Sequence, residues 1–233
     1  MGKDVIVALD FASKEKTLEF LDLFTEEKPF VKIGMELFYG EGPEIVREIK
    51  KRGHKIFLDL KLHDIPNTVQ KAMKNVAKLD VDMVNCHAAG TIEMMKAAQL
   101  GLQEGTTTTK PILLAVTQLT STSQERMDTE LLIHHTMEEA VGKYAENAKE
   151  AGLEGVVCSP LEASLVKERC GSDFVTVTPG IRFDDASKGD QVRVTTPEKA
   201  KEIGSHYIVV GRPITAADDP VGAYRRCVEE FVG

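Results

Sequence analysis

The chain lacks what would take it out of water. No apolar run approaches the ~18 residues that a membrane-crossing helix needs. The first ten residues enter a strand pattern at once, with neither the apolar stretch nor the small-residue cleavage site of a secretory signal. Gly2 would suit myristoylation, but Ile6 stands where that signal requires Ser or Thr, so the expected location is the cytoplasm. Cysteine is scarce: Cys86, Cys158, Cys170 and Cys227 are scattered with no C-x-x-C spacing. That pattern excludes a disulfide scaffold and a structural zinc site and fits reduced, buried thiols. Basic charge is in deficit, with 29 Lys and Arg against 37 Asp and Glu and a net charge of −8. A general nucleic-acid or membrane-surface binder is thereby excluded, and any anionic ligand must be held by a local positive cluster. There is no H-x-H or H-E-x-x-H, no G-x-S-x-G elbow and no Walker loop. No metal and no cofactor is expected.

What is present is a rhythm. The 233 residues are 42% hydrophobic and 28% charged, ordinary for a soluble globular protein. The length suits two small domains or one α/β barrel of about 250 residues. Eight short apolar runs, near 5–9, 30–33, 55–60, 83–86, 112–116, 155–158, 174–177 and 207–210, alternate with longer stretches of helical spacing. Leu18, Leu21, Leu23 and Phe24 form one such helical stripe and Val69, Met73, Val76 and Ala77 another. Helix starts are signalled at Ser13, at Asn67-Thr68 and at Thr196-Pro197-Glu198; Gly53, Gly152 and Gly204 close three helices. No linker or shift of composition interrupts the pattern. Alternating strands and helices predict a parallel sheet. The expectation is a single-domain (β/α)8 TIM barrel spanning 1–233, with a doubly wound open sheet as the alternative.

Charge sits where such a barrel keeps its chemistry, at the carboxyl ends of strands. Asp10 ends the first run, and Lys32 lies inside the second between Val31 and Ile33, which face the other way. In the third, Asp59 and Lys61 share a face with Leu60 opposite, and Asp64 follows where the chain begins to turn. Strand-borne charges are tolerable only when paired, and two lysines with two aspartates neutralise one another. Asn85 and His87 flank the end of the fourth run, and Gln118-Leu-Thr120-Ser-Thr122 follows the fifth. Thr178-Pro-Gly-Ile-Arg182 and Gly211-Arg212-Pro-Ile follow the seventh and eighth. Loops at those two places bind phosphate through backbone N–H groups, a helix dipole and an arginine fork. Residues 180–193 make a long polar loop expected to act as a lid, with Gln191 reaching the ligand on closure. The adjacent His134 and His135 point about 100° apart on a helix and cannot share a metal. His54 and His206 precede strands and read as surface groups, and His87 reads as a hydrogen-bonding support.

These residues resemble one family closely, the orotidine 5′-phosphate decarboxylases. The resemblance is carried by Ala8-Leu-Asp10, Lys32-Ile-Gly34, the specific string Asp59-Leu-Lys61-Leu-His63-Asp64-Ile-Pro-Asn67-Thr68, Thr178-Pro-Gly-Ile-Arg182 and Gly211-Arg212-Pro-Ile, and it extends over all eight units. It implies decarboxylation of orotidine 5′-monophosphate to UMP, the last step of UMP synthesis, by a homodimer that uses neither metal nor cofactor. Lys32, Asp59 and Lys61 would come from one subunit and Asp64 from its partner, with Lys61 stabilising and protonating the C6 carbanion. Asp10 and Lys32 would contact ribose hydroxyls, Thr68 would join Asp64 across the interface, and Thr120 would contact the pyrimidine. Gln191, Arg182, Gly211 and Arg212 would hold the 5′-phosphate. A metal-assisted sugar-phosphate decarboxylase or aldolase of the same barrel superfamily is the alternative, but such enzymes lack Ile65-Pro66-Asn67-Thr68.

Overall fold

The computed structural model describes residues 3–184 and 195–233. Its elements, in chain order, are β1 (Asp4–Ala8), α1 (Lys14–Asp22), β2 (Phe30–Gly34), α2 (Met35–Glu41), α3 (Pro43–Lys51), β3 (Ile56–Leu62), α4 (Pro66–Ala77), β4 (Met83–His87), α5 (Thr91–Gly105), β5 (Ile112–Val116), α6 (Gln124–Thr129), α7 (Met137–Glu150), β6 (Gly155–Val157), α8 (Ala163–Cys170), β7 (Val175–Thr178), α9 (Pro197–Ile203), β8 (Tyr207–Val210), α10 (Arg212–Thr215) and α11 (Pro220–Phe231). The strands close in sequence order, β8 pairing parallel with β1. This is the expected (β/α)8 barrel and rules out the open sheet. Among the described residues no helix is long and apolar enough to cross a membrane.

Strands buried on both faces read as near-continuous apolar runs, which is why all eight lie within two residues of their expected positions. Alternate residues then serve two cores. Val5, Val7, Val31, Ile33, Ile56 and Leu58 face the helices, while Ile6, Phe30, Phe57, Met83, Leu114, Val175 and Tyr207 fill the barrel interior. Phe57, 1% exposed, plugs that interior. Truncating such a side chain to alanine costs about 3–5 kcal/mol.

The local signals acted mostly as read. Ser13 and Thr196 cap α1 and α9, their side chains accepting from the N–H of Lys16 and Lys199. Gly53, Gly152 and Gly204, at φ +90°, +85° and +100°, end α3, α7 and α9 in the left-handed region that glycine enters without a Cβ clash. The start of α4 falls one residue earlier than Asn67-Thr68: Pro66 is its first residue and Ile65 the cap, because the locked φ of proline suits the first helical position. α4 packs against α5 so closely that a Cβ at Gly101 or Gly105 would meet the carbonyl of Gln70 or Lys74. That contact fixes the helix that follows the charged string of β3. The short helices α2, α6 and α10 are additional to the eight expected segments.

Candidate active site

The site is the upper half of the columns that fill the barrel. In a strand the residues i, i+2 and i+4 share a face, so each inward column can be followed from floor to rim. Ile6 leads through Ala8 to Asp10, Phe30 to Lys32, Phe57 through Asp59 to Lys61, and Tyr207 through Val209 to Gly211. The lower members are apolar core and the upper ones line a cavity of about 490 Å³ at the strands' carboxyl ends. Val116, Val157 and Val209 give it an apolar wall, while Gln118, Thr120, Arg182 and Arg212 add to its polar lining.

Four of those charges form one alternating row. Lys32 Nζ lies 3.0 Å from Asp10 Oδ1 and 3.6 Å from Asp59 Oδ2, and Lys61 Nζ donates to Asp59 Oδ1 at 2.7 Å. Gly34 makes room for it, since a Cβ there would come 3.0 Å from Lys32 Nζ. Asp59 is the buried centre, 8% exposed. Burial alone would raise its pKa. The ammonium groups of Lys32 and Lys61 and the hydrogen bonds from Lys61 and Asn85 outweigh burial and hold the carboxyl below its usual value. It is therefore ionised at neutral pH, and both lysines lean on it. With two ammonium groups bound to the one buried carboxylate, a divalent cation would meet repulsion there. Among the described residues no cluster of His, Cys, Asp or Glu has a metal-binding arrangement.

Lys61 reaches this position through an unusual backbone. Its φ is +53°, a conformation that costs a residue with a Cβ about 1–2 kcal/mol. The β3–β4 register slips beside it, passing from Leu58↔Val84 to Leu62↔Cys86. Non-glycine residues held at positive φ cluster at functional sites, where the surroundings over-determine them.

The remaining expected residues fall into three groups. Thr120, Arg182, Gly211 and Arg212 line the cavity as expected, and Arg182 also donates to the Ile181 carbonyl at 2.7 Å. Asp64 and Thr68 are exposed and lie outside their own chain's cavity. The Asp64 carboxylate accepts from the Ile65 N–H, and Thr68 sits in the first turn of α4. Gln191 and most of the 180–193 loop lie outside the described residues. His87 is half-buried with its ring centroid 5.5 Å from that of His63. Burial, and then Coulombic repulsion from His63 and Lys61, lower its pKa. His54 is not a surface group: it is 2% exposed, its Nδ1 is 2.9 Å from the Pro29 carbonyl, and desolvation lowers its pKa. The apolar wall and the tie between Asn85 and β3 had no motif to announce them. Column parity was the one available signal, since Asn85 continues the inward series from Met83.

A closed parallel barrel whose strands end in an alternating row of acids and bases around a cavity defines a (β/α)8-barrel enzyme. More narrowly, this chain belongs to the orotidine 5′-phosphate decarboxylase / HUMPS family, whose model matches residues 3–227. It is 58% identical over 235 residues to the orotidine 5′-phosphate decarboxylase of Bacillus cytotoxicus, with 100% of this chain and 99% of the relative covered. To that of Bacillus mycoides it is 57% identical at the same coverage. The crystal structure of orotidine 5′-phosphate decarboxylase from Lactobacillus acidophilus superposes with a TM-score of 0.90 at 44% identity, covering 99% of this chain and 100% of that one.

Proposed function

We infer that this chain is a carboxy-lyase that converts orotidine 5′-monophosphate to UMP and CO2, the closing step of pyrimidine nucleotide synthesis. The observation that carries the reading is the Asp10–Lys32–Asp59–Lys61 row beside an apolar wall, with Arg182 and Arg212 lining the same cavity. The names and full-length identity of the relatives favour this substrate over the sugar phosphates of the metal-assisted alternative.

The chemistry follows from the charges. Breaking the bond from C6 to its carboxylate leaves the electron pair on C6, in the ring plane and barely delocalised. A cation fixed beside C6 therefore acts as that charge develops. Lys61 supplies the field and then transfers an ammonium proton to C6, recovering it later from solvent. Asp59 keeps the Lys61 ammonium aimed, and it faces the departing carboxylate. Two like charges about 4 Å apart at an effective dielectric constant near 20 repel by about 4 kcal/mol. Asp10 and Lys32 hold ribose hydroxyls and Thr120 the pyrimidine. Arg182, Gly211, Arg212 and Gln191 grip the 5′-phosphate, whose binding energy is spent far from C6 on organising the site. No metal or cofactor takes part.

The reading extends to the assembly. In a homodimer Asp64 and Thr68 complete the partner's site, which suits an exposed Asp64 outside its own cavity followed by Ile65, 65% exposed. The enzyme works in the cytoplasm, where its four free, buried cysteines stay reduced.

The test is an ultraviolet assay of orotidine 5′-monophosphate with EDTA present, alongside a pentulose or hexulose phosphate substrate. Conversion to UMP undiminished by EDTA is expected. No turnover of the nucleotide, or turnover lost to EDTA and restored by Mg²⁺, would sink the reading.

A further inference from the structure

Opposite the slipped register of β3 sits a single residue of β4. Between the pairs Leu58↔Val84 and Leu62↔Cys86, three residues of β3 face only Asn85. A bulge of this kind takes main-chain groups out of the ladder, and a buried N–H without a partner is costly. The Lys61 N–H is satisfied by a side chain: it donates to Asn85 Oδ1 at 2.8 Å. The other end of the same amide, Nδ2, donates to Asp59 Oδ1 at 2.7 Å, the oxygen that also accepts from Lys61 Nζ. Hydrogen bonds thus form a closed ring that begins and ends on Lys61. Only one orientation of the amide fits, because a main-chain N–H requires the carbonyl and an ionised carboxylate requires the NH₂.

We propose that Asn85 is a positioning residue for decarboxylation, locking Lys61 in its left-handed backbone conformation and Asp59 in the carboxylate rotamer that aims the Lys61 ammonium into the cavity. The proposal rests on the decarboxylase reading above. Asn85 is 1% exposed and does not line the cavity, so it acts through β3 and not on substrate. Without the amide, Lys61 gains by relaxing to a negative φ, which swings its side chain away from C6. The charged and titratable groups around Asn85 are Asp59 and Lys61 on β3, Lys32 behind Asp59, and His87 on its own strand with His63 beside it. β5 offers Leu114 at this register and α4 offers Met73 and Val76, none of which titrates.

Two full-length variants test this. Asn85→Leu removes both hydrogen bonds at nearly constant size. Its kcat should fall about 10²-fold, the scale of a displacement near 1 Å, while KM and UMP affinity stay within about threefold because Arg182 and Arg212, the phosphate grip of that reading, follow β7 and β8 and not β3 or β4. Asn85→Asp sets a second carboxylate against Asp59 and should be as poor at pH 8. As pH falls and the new carboxyl takes up a proton, its C=O and O–H reproduce the acceptor and donor of the amide. The ratio of variant to wild-type kcat should therefore climb about tenfold or more towards pH 5.5, at one pH unit per decade. A flat ratio, or a KM that rises as far as kcat falls, would overturn the proposal. Loss of fold in both variants would overturn it too, since Asn85 would then serve the barrel alone. The Lys61 amide and Nζ resonances in ¹⁵N spectra give a readout independent of substrate. They must shift in Asn85→Leu, so unmoved resonances reject the positioning role even if the wild type acts on another substrate, and a wild type inert on the nucleotide rejects only the activity.

Discussion

Replacing Lys61 by alanine removes a cation and a proton donor at once, and the two losses can be sized separately. A unit charge about 3–4 Å from C6, at an effective dielectric constant near 20, is worth about 4–6 kcal/mol to the carbanion. At 1.36 kcal/mol per decade that is three to four powers of ten in rate. Loss of positioned proton transfer contributes a further 10²–10⁴-fold or so, partly overlapping, so kcat should fall at least about 10⁴-fold. Binding should change far less. Arg182 and Arg212, read as the phosphate grip, line the cavity after β7 and β8 and not from β3, and Asp59 keeps Lys32 at 3.6 Å when its 2.7 Å partner is gone. Decarboxylation followed by the absorbance change of the orotate ring, together with UMP affinity by calorimetry, separates the terms. A Lys61→Ala enzyme within tenfold of wild type would refute Lys61 as proton donor and with it the reading of the row as machinery for C6.

Arg212→Ala should weaken UMP about 10–150-fold, the range of one charge-assisted hydrogen bond, and leave uridine affinity almost unchanged; equal losses for both ligands would refute the phosphate assignment. Because the folded pKa of Asp59 lies below its ordinary 3.8, its stabilising contribution is complete above that value and lost as pH falls through the lower folded value. Urea midpoints of wild type and Asp59→Asn should therefore converge below about pH 4; a gap independent of pH would show that Asp59 is not held ionised by its lysines. Mixing unfolded Lys61→Ala and Asp64→Asn chains and refolding them makes about half the dimers hybrid, each with one intact shared site, so about a quarter of wild-type activity should return. A mixture as inactive as its parents, with chain exchange confirmed by mass, would show that Asp64 serves its own chain.

The strands could be read from sequence because a parallel barrel buries both faces and leaves unbroken apolar runs. The charged rim could be read because parity along those runs puts Asp10, Lys32, Asp59 and Lys61 on the inner face above apolar residues. Other features had no such carrier. The β3 bulge is marked by neither Gly nor Pro, and Lys61 itself adopts φ +53°. The role of Asn85 depends on that bulge and so was equally hidden. His54 looked like a surface residue because one carbonyl, that of Pro29, is enough to make a buried imidazole tolerable, and no spacing reveals such a partner. Asp64 lies exposed outside its own chain's cavity, and only the family string that contains it marks it as a site residue.

The geometry of the row also shows why its four charges are not interchangeable. Two lysines and two aspartates sum to zero, so each charge has an opposite neighbour, but the members are unequal. Asp10 has a side chain 62% exposed, and water can replace its partner. Asp59 is the shared acceptor of both ammonium groups and of Asn85. Removing it leaves two lysines without their common counter-charge, and breaking one side of a buried ion pair costs about 3–5 kcal/mol. Asp59 is therefore the member whose loss disturbs the whole row, because Lys32, Lys61 and Asn85 all bind its one carboxylate.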